Sequence, residues 1–301
     1  MVDVVVVNHN SGPMLARCLR SLEQTQRRGG EIASVTVWDN GSKEGWDQLP
    51  SLDLPIFFRS GKNIGYGAAC NAGAELGRAP YLLFLNPDVE IPPAGISVPL
   101  ELMKNEQRAG MLGISLLNPD GSVQPSRMRF PTAKQLIARS LGLLRLFPDR
   151  FNAYYEKKQL ESGWAQWVLG AYLMIRRQAF EAVGGFDRNF FLYFEEIDLA
   201  KRMEQRGWRC LYCAKIHGLH TGGGSEQVSA FCVREHVRSR ILYGKRYFSD
   251  KEARKLWLCA LFLEPLARMV QAFLQGSNPF SAFAAPIAGT VSALKGAGKQ
   301  T

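Results

Sequence analysis

The chain has little cysteine, six residues in 301, too few for a disulfide framework at this length. Its first residues, MVDVVVVNHN, lack the basic start and long apolar core of a secretory signal: Asp3 is acidic and the apolar run Val4–Val7 is short. A reduced, cytosolic protein is the expectation. Glycine and proline number 29 and 15 but follow no period, and no repeat of solenoid or propeller length occurs. Collagen-like, repeat and wholly disordered architectures are thereby excluded. What is there is ordinary globular composition, 46% apolar and 21% charged, in a length that fits one large domain or one domain with an appendage. Such a chain buries a full core and still builds a cleft.

Charge is unevenly spread. Residues 231–301 hold eleven Lys and Arg against four Asp and Glu, so this tail carries +7 of the net +10. A basic tail on a near-neutral body suits an anionic surface, and equally a solvated helix face.

The first half alternates strand and helix signals. Val4–Val7 is β-branched throughout, as in a strand buried on both faces of a parallel sheet. Pro13 opens a helix with Leu15, Cys18, Leu19 and Leu22 at helical spacing. Ser34–Trp38, Ile56–Phe58, Tyr81–Leu85 and Met111–Leu117 read as further strands, and Gly65–Gly77 as an Ala-rich helix. The alternation predicts an α/β fold with a mostly parallel sheet flanked by helices. Beyond it come a turn at Asn118–Gly121, a helix around Leu136–Leu146, a strand through Val168–Ile175, a helix from Gln178 and another within Phe190–Arg206. From about Glu226 two long helices precede a Gly/Ala/Ser-rich end.

Ligands of parallel sheets collect at the carboxyl ends of strands. Here those ends are polar: Asn8-His9-Asn10-Ser11, Asp39-Asn40-Gly41-Ser42 and Asn86-Pro87-Asp88. Asp88, just past a buried strand and behind a rigid proline, suits Mg²⁺ or Mn²⁺, ions that share substrate phosphates and need few protein ligands. The same residues also make an ordinary turn. Lys62-Asn63-Ile64-Gly65-Tyr66-Gly67 leads into a helix containing Asn71, where glycines let backbone approach a phosphate; it is neither a Walker loop nor a dinucleotide fingerprint. Phe190–Asp198 sets Glu195, Glu196 and Asp198 in the first turn of a helix behind four aromatic residues. Paired acids beside aromatic walls suit a sugar cleft with a general base, although the helix dipole alone favours acids there and Asp198 can pair with Arg202. Cys210-x2-Cys213-x3-His217-x2-His220 imitates a zinc set, but its spacing is too tight and a strand turns the two thiols to opposite faces. His220 with Thr221–Ser225 reads instead as a loop presenting one imidazole.

In this order the motifs resemble those of the inverting glycosyltransferases of family 2, especially a bacterial rhamnosyltransferase-like branch. The matching pieces are Val4–Ser11, Asp39–Ser42, Asn63–Asn71, Leu85–Asp88, Gly170–Ile175, Gly184–Asp187, Phe191–Arg202 and His220–Ser225, about three quarters of the chain. The resemblance implies the GT-A fold over residues 1–230, with a nucleotide-sugar half (1–117) and an acceptor and catalytic half (118–230), followed by a helical appendage (231–301). It implies that Asp39 bonds the pyrimidine base of a dTDP- or UDP-linked sugar, with Asn8, Asn10, Asn63, Gly65, Asn71 and Asn86 on the donor side. Asp88 stands where the family's D-x-D motif ends and would bind the divalent metal, with His220 approaching metal or diphosphate; Asn86 replaces the motif's first acid. The family's base is the Asp of a Glu-Asp pair, here Glu195-Glu196, which makes Glu196 the first choice and Glu195 the second. The implied reaction is a single in-line displacement onto a surface-glycan or polyprenyl-linked saccharide.

In the tail, Glu264-Pro265 and Arg268 interrupt the apolar stretch Leu256–Leu274 and argue against a spanning helix. Lys251, Arg254 and Lys255 precede it, which suits an interfacial helix on the cytoplasmic face of an anionic membrane across 251–275. Packing on the catalytic domain or in a homodimer is the alternative. A nucleotidyltransferase lacks its expected Gly-rich loop here, and a nucleic-acid binder would carry its charge on the ligand face. An inactive sugar-nucleotide scaffold is the alternative from another class, suggested by Asn86 and Glu196.

Overall fold

The computed structural model describes residues 1–29, 31–43, 51–143, 147, 156, 158–222 and 229–296. Two compact units arise: Met1–Arg129, Tyr155–Arg188 and Glu196–Ser225 form the first, and Phe130–Tyr154, Asn189–Glu195 and Glu226–Thr301 the second. In chain order the elements begin with β1 (Val2–Asn8), α1 (Pro13–Arg27), β2 (Ile32–Asp39), β3 (Ile56–Ser60), α2 (Tyr66–Ala74), β4 (Tyr81–Leu85) and β5 (Val89–Glu90). There follow α3 (Ser97–Asn105), β6 (Ala109–Leu117), β7 (Val123–Gln124), β8 (Arg127–Met128), α4 (Ala133–Ser140), β9 (Gly163–Ala165) and β10 (Trp167–Val168). The last are β11 (Tyr172–Arg176), α5 (Arg177–Ala182), α6 (Glu195–Gln205), β12 (Arg209–His220), α7 (Ala230–Tyr247), α8 (Asp250–Leu258), α9 (Glu264–Leu274) and α10 (Pro279–Gly296).

The first unit is a mixed, mostly parallel sheet flanked by helices, in the order β3-β2-β1-β4-β11-β6-β12-β5 with β7 beside β6 and β9 beside β12. β3, β2, β1 and β4 are mutually parallel, and β12 is parallel to β6. β11 enters antiparallel between β4 and β6. Every residue of β1 and β4 is buried, as their unbroken apolar runs require of strands covered on both faces.

One acid breaks that run. Asp3 is buried, and its carboxylate accepts from Ser34 Oγ at 2.6 Å, Ala79 N–H at 2.6 Å and Arg177 Nη2 at 2.8 Å. Arg177 also donates to the carbonyls of Ala79 and Ala74, tying the start of α5 to α2 and β1. A buried charge is tolerable only with such pairing.

The strand expected through Val168–Ile175 is instead two strands, β10 and β11. Leu169 N–H bonds Ser126 and the Ala171 carbonyl accepts from Asn86 N–H, so the chain leaves β8 at Gly170 before joining β4 and β6. The helix expected within Phe190–Arg206 begins only at Glu195, because Tyr193 and Phe194 have φ of 67° and 69°, outside the helical region. In the second unit these residues are held by His236, which packs on both rings, and by Ser239, whose Oγ donates to the Leu192 carbonyl.

The helix expected around Leu136–Leu146 starts earlier, at Ala133, where Thr132 and Gln135 form a capping box; residues 144–146 lie outside the described ones. Residues 130–154 and 189–195, expected in the acceptor half, belong with the C-terminal helices. Arg240, fully buried, bonds Ser140 Oγ and Glu264, while Arg238 donates to the Asn189 carbonyl. Burial alone would raise the Glu264 carboxyl, but Arg240 and Arg268 outweigh it and lower it. The Gly/Ala/Ser-rich end is helical as far as Gly296: Asn278 caps α10, and a side chain at Gly289 would collide with the Arg234 carbonyl of α7. Small residues there permit close helix packing.

Replacing Asp3 with Ala takes the counter-charge from Arg177, which keeps its two carbonyl bonds, and leaves the Ala79 N–H without its acceptor. The expected loss is about 3 kcal/mol, read as a lower urea midpoint with unchanged m.

Candidate active site

The polar strand ends converge at the carboxyl edge of the sheet. Asn8, 1% exposed, donates from Nδ2 to Asp39 Oδ1 at 2.8 Å and to Ser42 Oγ at 3.0 Å, and accepts from Ser11 N–H. The second oxygen of Asp39 accepts from Ser42 N–H at 3.2 Å. Asn10 has a left-handed φ of 55°, and its side-chain oxygen accepts from Lys43 N–H while its own N–H donates to Ser42 Oγ. Asn40 extends the network: its Nδ2 donates to Asn63 Oδ1 and the Gly65 carbonyl, and its Oδ1 accepts from Ile64 N–H. Asn63 Oδ1 in turn accepts from Gly65 N–H. Gly65 stands at φ 89° before α2, where only glycine is free of strain. Asn8, Asn10, Asp39, Asn63 and Gly65 thus share one wall.

Asn71 is placed differently. It is buried, and both ends of its carboxamide are bonded to the backbone of Phe186, donating to the carbonyl at 2.8 Å and accepting from the N–H at 2.9 Å. It clamps the Gly184–Gly185 turn, whose residues have φ of 74° and 70°.

The second wall is made by β4, β5 and β12. Asn86 bonds Ala171 through its N–H, and β5 pairs antiparallel with β12, aligning Val89 with His220. Thr221 donates to the Asp88 carbonyl through both N–H and Oγ1. Asp88 Oδ2 consequently lies 3.3 Å from His220 Nε2. His220 Nδ1 is 2.7 Å from Gln124 Oε1, which can only accept, so Nδ1 carries a proton and Nε2 is the nitrogen that faces the carboxylate. Among the described residues no donor meets the buried Asp88 Oδ1. Two acceptors facing each other beside an orphaned oxygen repel unless a proton or cation lies between them. The donor set, one carboxylate and one imidazole, fits a divalent cation of the kind that takes its remaining ligands from substrate phosphates. Gly222 passes directly over Asp88, and a Cβ there would overlap Oδ2. Residues 223–225 of the expected His220–Ser225 loop lie outside the described ones. Among the described residues no group of three His, Cys, Asp or Glu gathers as a metal cluster; His217 is exposed while Cys210 and Cys213 are buried in β12.

Glu196, the second residue of α6, lies beside Gly170, where a Cβ would touch its Cγ at 3.5 Å and its Cδ at 3.6 Å. Among the described residues nothing bonds its buried Oε2. Burial pushes its carboxyl up to about 7, against the smaller opposing pull of the Glu196 and Ile197 N–H groups at the helix start. A carboxylate poised there can take a proton near neutral pH. Tyr66 Oη reaches the Gly170 carbonyl at 3.4 Å, and Gly170 leads to Ala171, the partner of Asn86. Glu195 is buried as well. Asp198 pairs with Arg202 at 2.7 Å and supports the helix.

Asn40, Gln124, Gly170 and Gly222 are the residues sequence reasoning left out. Asn40 lay within a quoted strand end, but its role as a cross-link depends on the loop two strands away. Gln124 and Gly222 act only through the pairing of β5, β7 and β12.

A parallel sheet with its polar groups at one edge, an Asp/His pair beside it and a raised carboxyl at a helix start define a GT-A nucleotide-sugar enzyme. The chain belongs to glycosyl transferase family 2, whose model matches residues 3–184. It is 34% identical over 238 residues to an N-acetylglucosaminyl-diphospho-decaprenol L-rhamnosyltransferase of Mycobacterium tuberculosis, covering 73% of this chain and 76% of that protein. To the rhamnosyltransferase WbbL of Escherichia coli it is 23% identical, over 83% of this chain and 96% of the relative. Its fold matches that of the mannosyltransferase PcManGT from Pyrobaculum calidifontis, solved with GDP-Man and Mn²⁺, at a TM-score of 0.55 and 14% identity, covering 97% of this chain and 86% of that one.

Gly222→Ala is expected to displace the Asp88 carboxylate while leaving the core untouched. Thermal stabilisation by Mn²⁺ with a nucleoside diphosphate should fall at least tenfold in apparent affinity, with the melting temperature of the free protein within a few degrees of the parent.

Proposed function

We propose that this glycosyltransferase moves an L-rhamnosyl group from dTDP-rhamnose to a saccharide carried on a polyprenyl lipid, inverting the anomeric carbon, with Mg²⁺ or Mn²⁺ bound. The observation that carries the catalytic part is the placement of Glu196 against Gly170, one residue from the backbone that holds Asn86 and so the Asp88 turn. The donor and acceptor are supported by the relatives' names. A nucleotide sugar made in the cytoplasm places the enzyme there, at the membrane that bears its acceptor.

Each group has a task. The Asn8–Asp39–Asn40–Asn63 wall receives the nucleotide, with Asp39 presented by Asn8 and Ser42 toward a pyrimidine. Asp88 and His220 would hold the cation, with Gln124 orienting the imidazole through its Nδ1. What a divalent ion supplies when bound is neutralisation of charge growing on the departing diphosphate. Glu196 accepts the proton of the acceptor hydroxyl as that oxygen attacks from the face opposite the leaving group. Glu195, buried before the turn, is the second candidate for that proton. Holding both substrates in line supplies much of the remaining rate.

A thermal-shift panel of dTDP, UDP and their sugars, with and without Mn²⁺, tests the donor. A metal-dependent shift strongest with dTDP-rhamnose is expected, and equal response to GDP ligands would refute the assignment. Asp88→Ala should abolish the metal dependence together with transfer. Glu196→Gln should lower kcat by about 10²–10⁴-fold while the donor-induced shift persists.

Since the base must be ionised, kcat/KM should rise with pH and level off above about 7. The same group imposes an opposite trend on stability. Between its ordinary value of 4.5 and about 7 the folded protein holds more protons than the unfolded, so stability falls as pH rises. Glu196→Gln should remove that slope in denaturant titrations.

A further inference from the structure

We infer that the outward face of the segment Asp250–Leu274 is a docking surface for an anionic lipid bilayer, on which the helix lies flat. This segment is one continuous helix of 25 residues, α8 and α9 joined by a π-helical turn at Cys259–Leu263. Its apolar window has a mean hydropathy of 1.4, yet only 33% of that window is buried. Length and composition alone would let it cross a membrane, but its inward side is already committed within the second unit. Leu256, Cys259, Ala260 and Ala272 are buried, and Glu264 is closed in by Arg240 and Arg268.

The exposed positions form a stripe. Lys251, Arg254, Lys255, Leu258, Phe262, Leu266, Val270 and Phe273 are all exposed, each three or four residues from the next on the same side save for the adjacent pair Arg254–Lys255. Phe262 is 59% exposed and Phe273 75%. In a regular α-helix steps of four residues drift by about 40° each around the axis. The wider π turn takes back that drift and keeps the stripe on one side. Its cause lies in the sequence: Pro265 has no N–H for the carbonyl one turn earlier, and its ring needs room there. Of the large exposed hydrophobic side chains among the described residues, those from Leu258 to Phe280 make the densest group along the sequence, ending in Phe280 at 81% exposed.

Charge selects the occupant. From Ala253 to Leu294 the chain has a single acid, Glu264, and that acid is buried. The stripe therefore offers cations at one end and aromatic and aliphatic side chains along the rest, with the exposed acids Asp250 and Glu252 of the first turn to either side of Lys251. In a self-complementary pair of these helices the three cations would meet only Asp250 and Glu252 of the other copy, and Glu252 is already bonded to Ser249 in the helix cap. Anionic headgroups meet them, and the acyl boundary receives the phenylalanines. The surface lies outside the transfer chemistry, so its test does not depend on the donor or acceptor proposed above.

Flotation of the full chain with vesicles of phosphatidylcholine alone, or of equal parts phosphatidylcholine and phosphatidylglycerol, provides the test. Binding to the anionic vesicles, weakened by salt, is expected. The exposed substitutions Lys251→Gln/Arg254→Gln/Lys255→Gln and Phe262→Ser/Phe273→Ser should each reduce it more than about tenfold, with thermal unfolding unchanged. A folded chain that stays with the soluble fraction, or equal binding to both vesicle types, overturns the inference. So does a dimer by light scattering that Phe262→Ser/Phe273→Ser converts to monomer, since the face then belongs to a second copy.

Discussion

Complete burial of β1 and β4 is the constraint from which the rest of the first unit follows. A strand covered on both faces has no solvent side on which to carry a polar residue, so polar chemistry is driven to its ends. At the carboxyl end this yields Asn8, and on the neighbouring strands Asp39 and the Asn86–Asp88 turn. The one exception inside a strand, Asp3, shows how demanding the constraint is. It requires a hydroxyl, a backbone N–H and a guanidinium brought from three separate segments. That arginine then anchors α5, so the exception becomes a brace between the start of the chain and a helix beyond residue 176.

The two walls of the site are built by different physics. The donor wall is a web of amides around one carboxylate, Asp39, in which Asn40 and Asn63 use side-chain groups to satisfy a loop that has no regular backbone partners. Such a web fixes geometry with a single charge. The opposite wall is electrostatic: a carboxylate with one oxygen lacking a donor among the described residues and an imidazole nitrogen facing the other, and a second carboxyl kept partly protonated by burial. Groups left unsatisfied in one structure are the ones available to bind or to move a proton.

Much of this was legible in the sequence because the signals were local. Unbroken runs of Val and Leu gave the strands β1 and β4 within two residues, and the polar tripeptides at their ends pointed to the site. What escaped was set by partners far along the chain. Val168–Ile175 has strand-forming residues throughout, but Gly170 lies where the chain changes sheets. Tyr193 and Phe194 have no sequence mark of a left-handed backbone; they adopt it because His236 and Ser239 hold the turn. The Gly/Ala/Ser-rich end showed no helix of its own by composition, whereas small residues are what a helix needs to approach α7 closely. Asn71 carried a donor-site resemblance, and its amide is occupied by Phe186.

The ion pair between Arg240 and Glu264 has a consequence for how the protein is made. Arg240 is flanked by Ser140 on one side and by Glu264 on the other, so its counter-charge emerges from the ribosome well after the guanidinium itself. Until then the second unit has a cation without an anion, and burying it would cost several kcal/mol. The sheet's last strand ends at His220 and is complete by that point in synthesis. Vectorial synthesis thus gives the sheet a head start, and the helical unit closes only when Glu264 arrives.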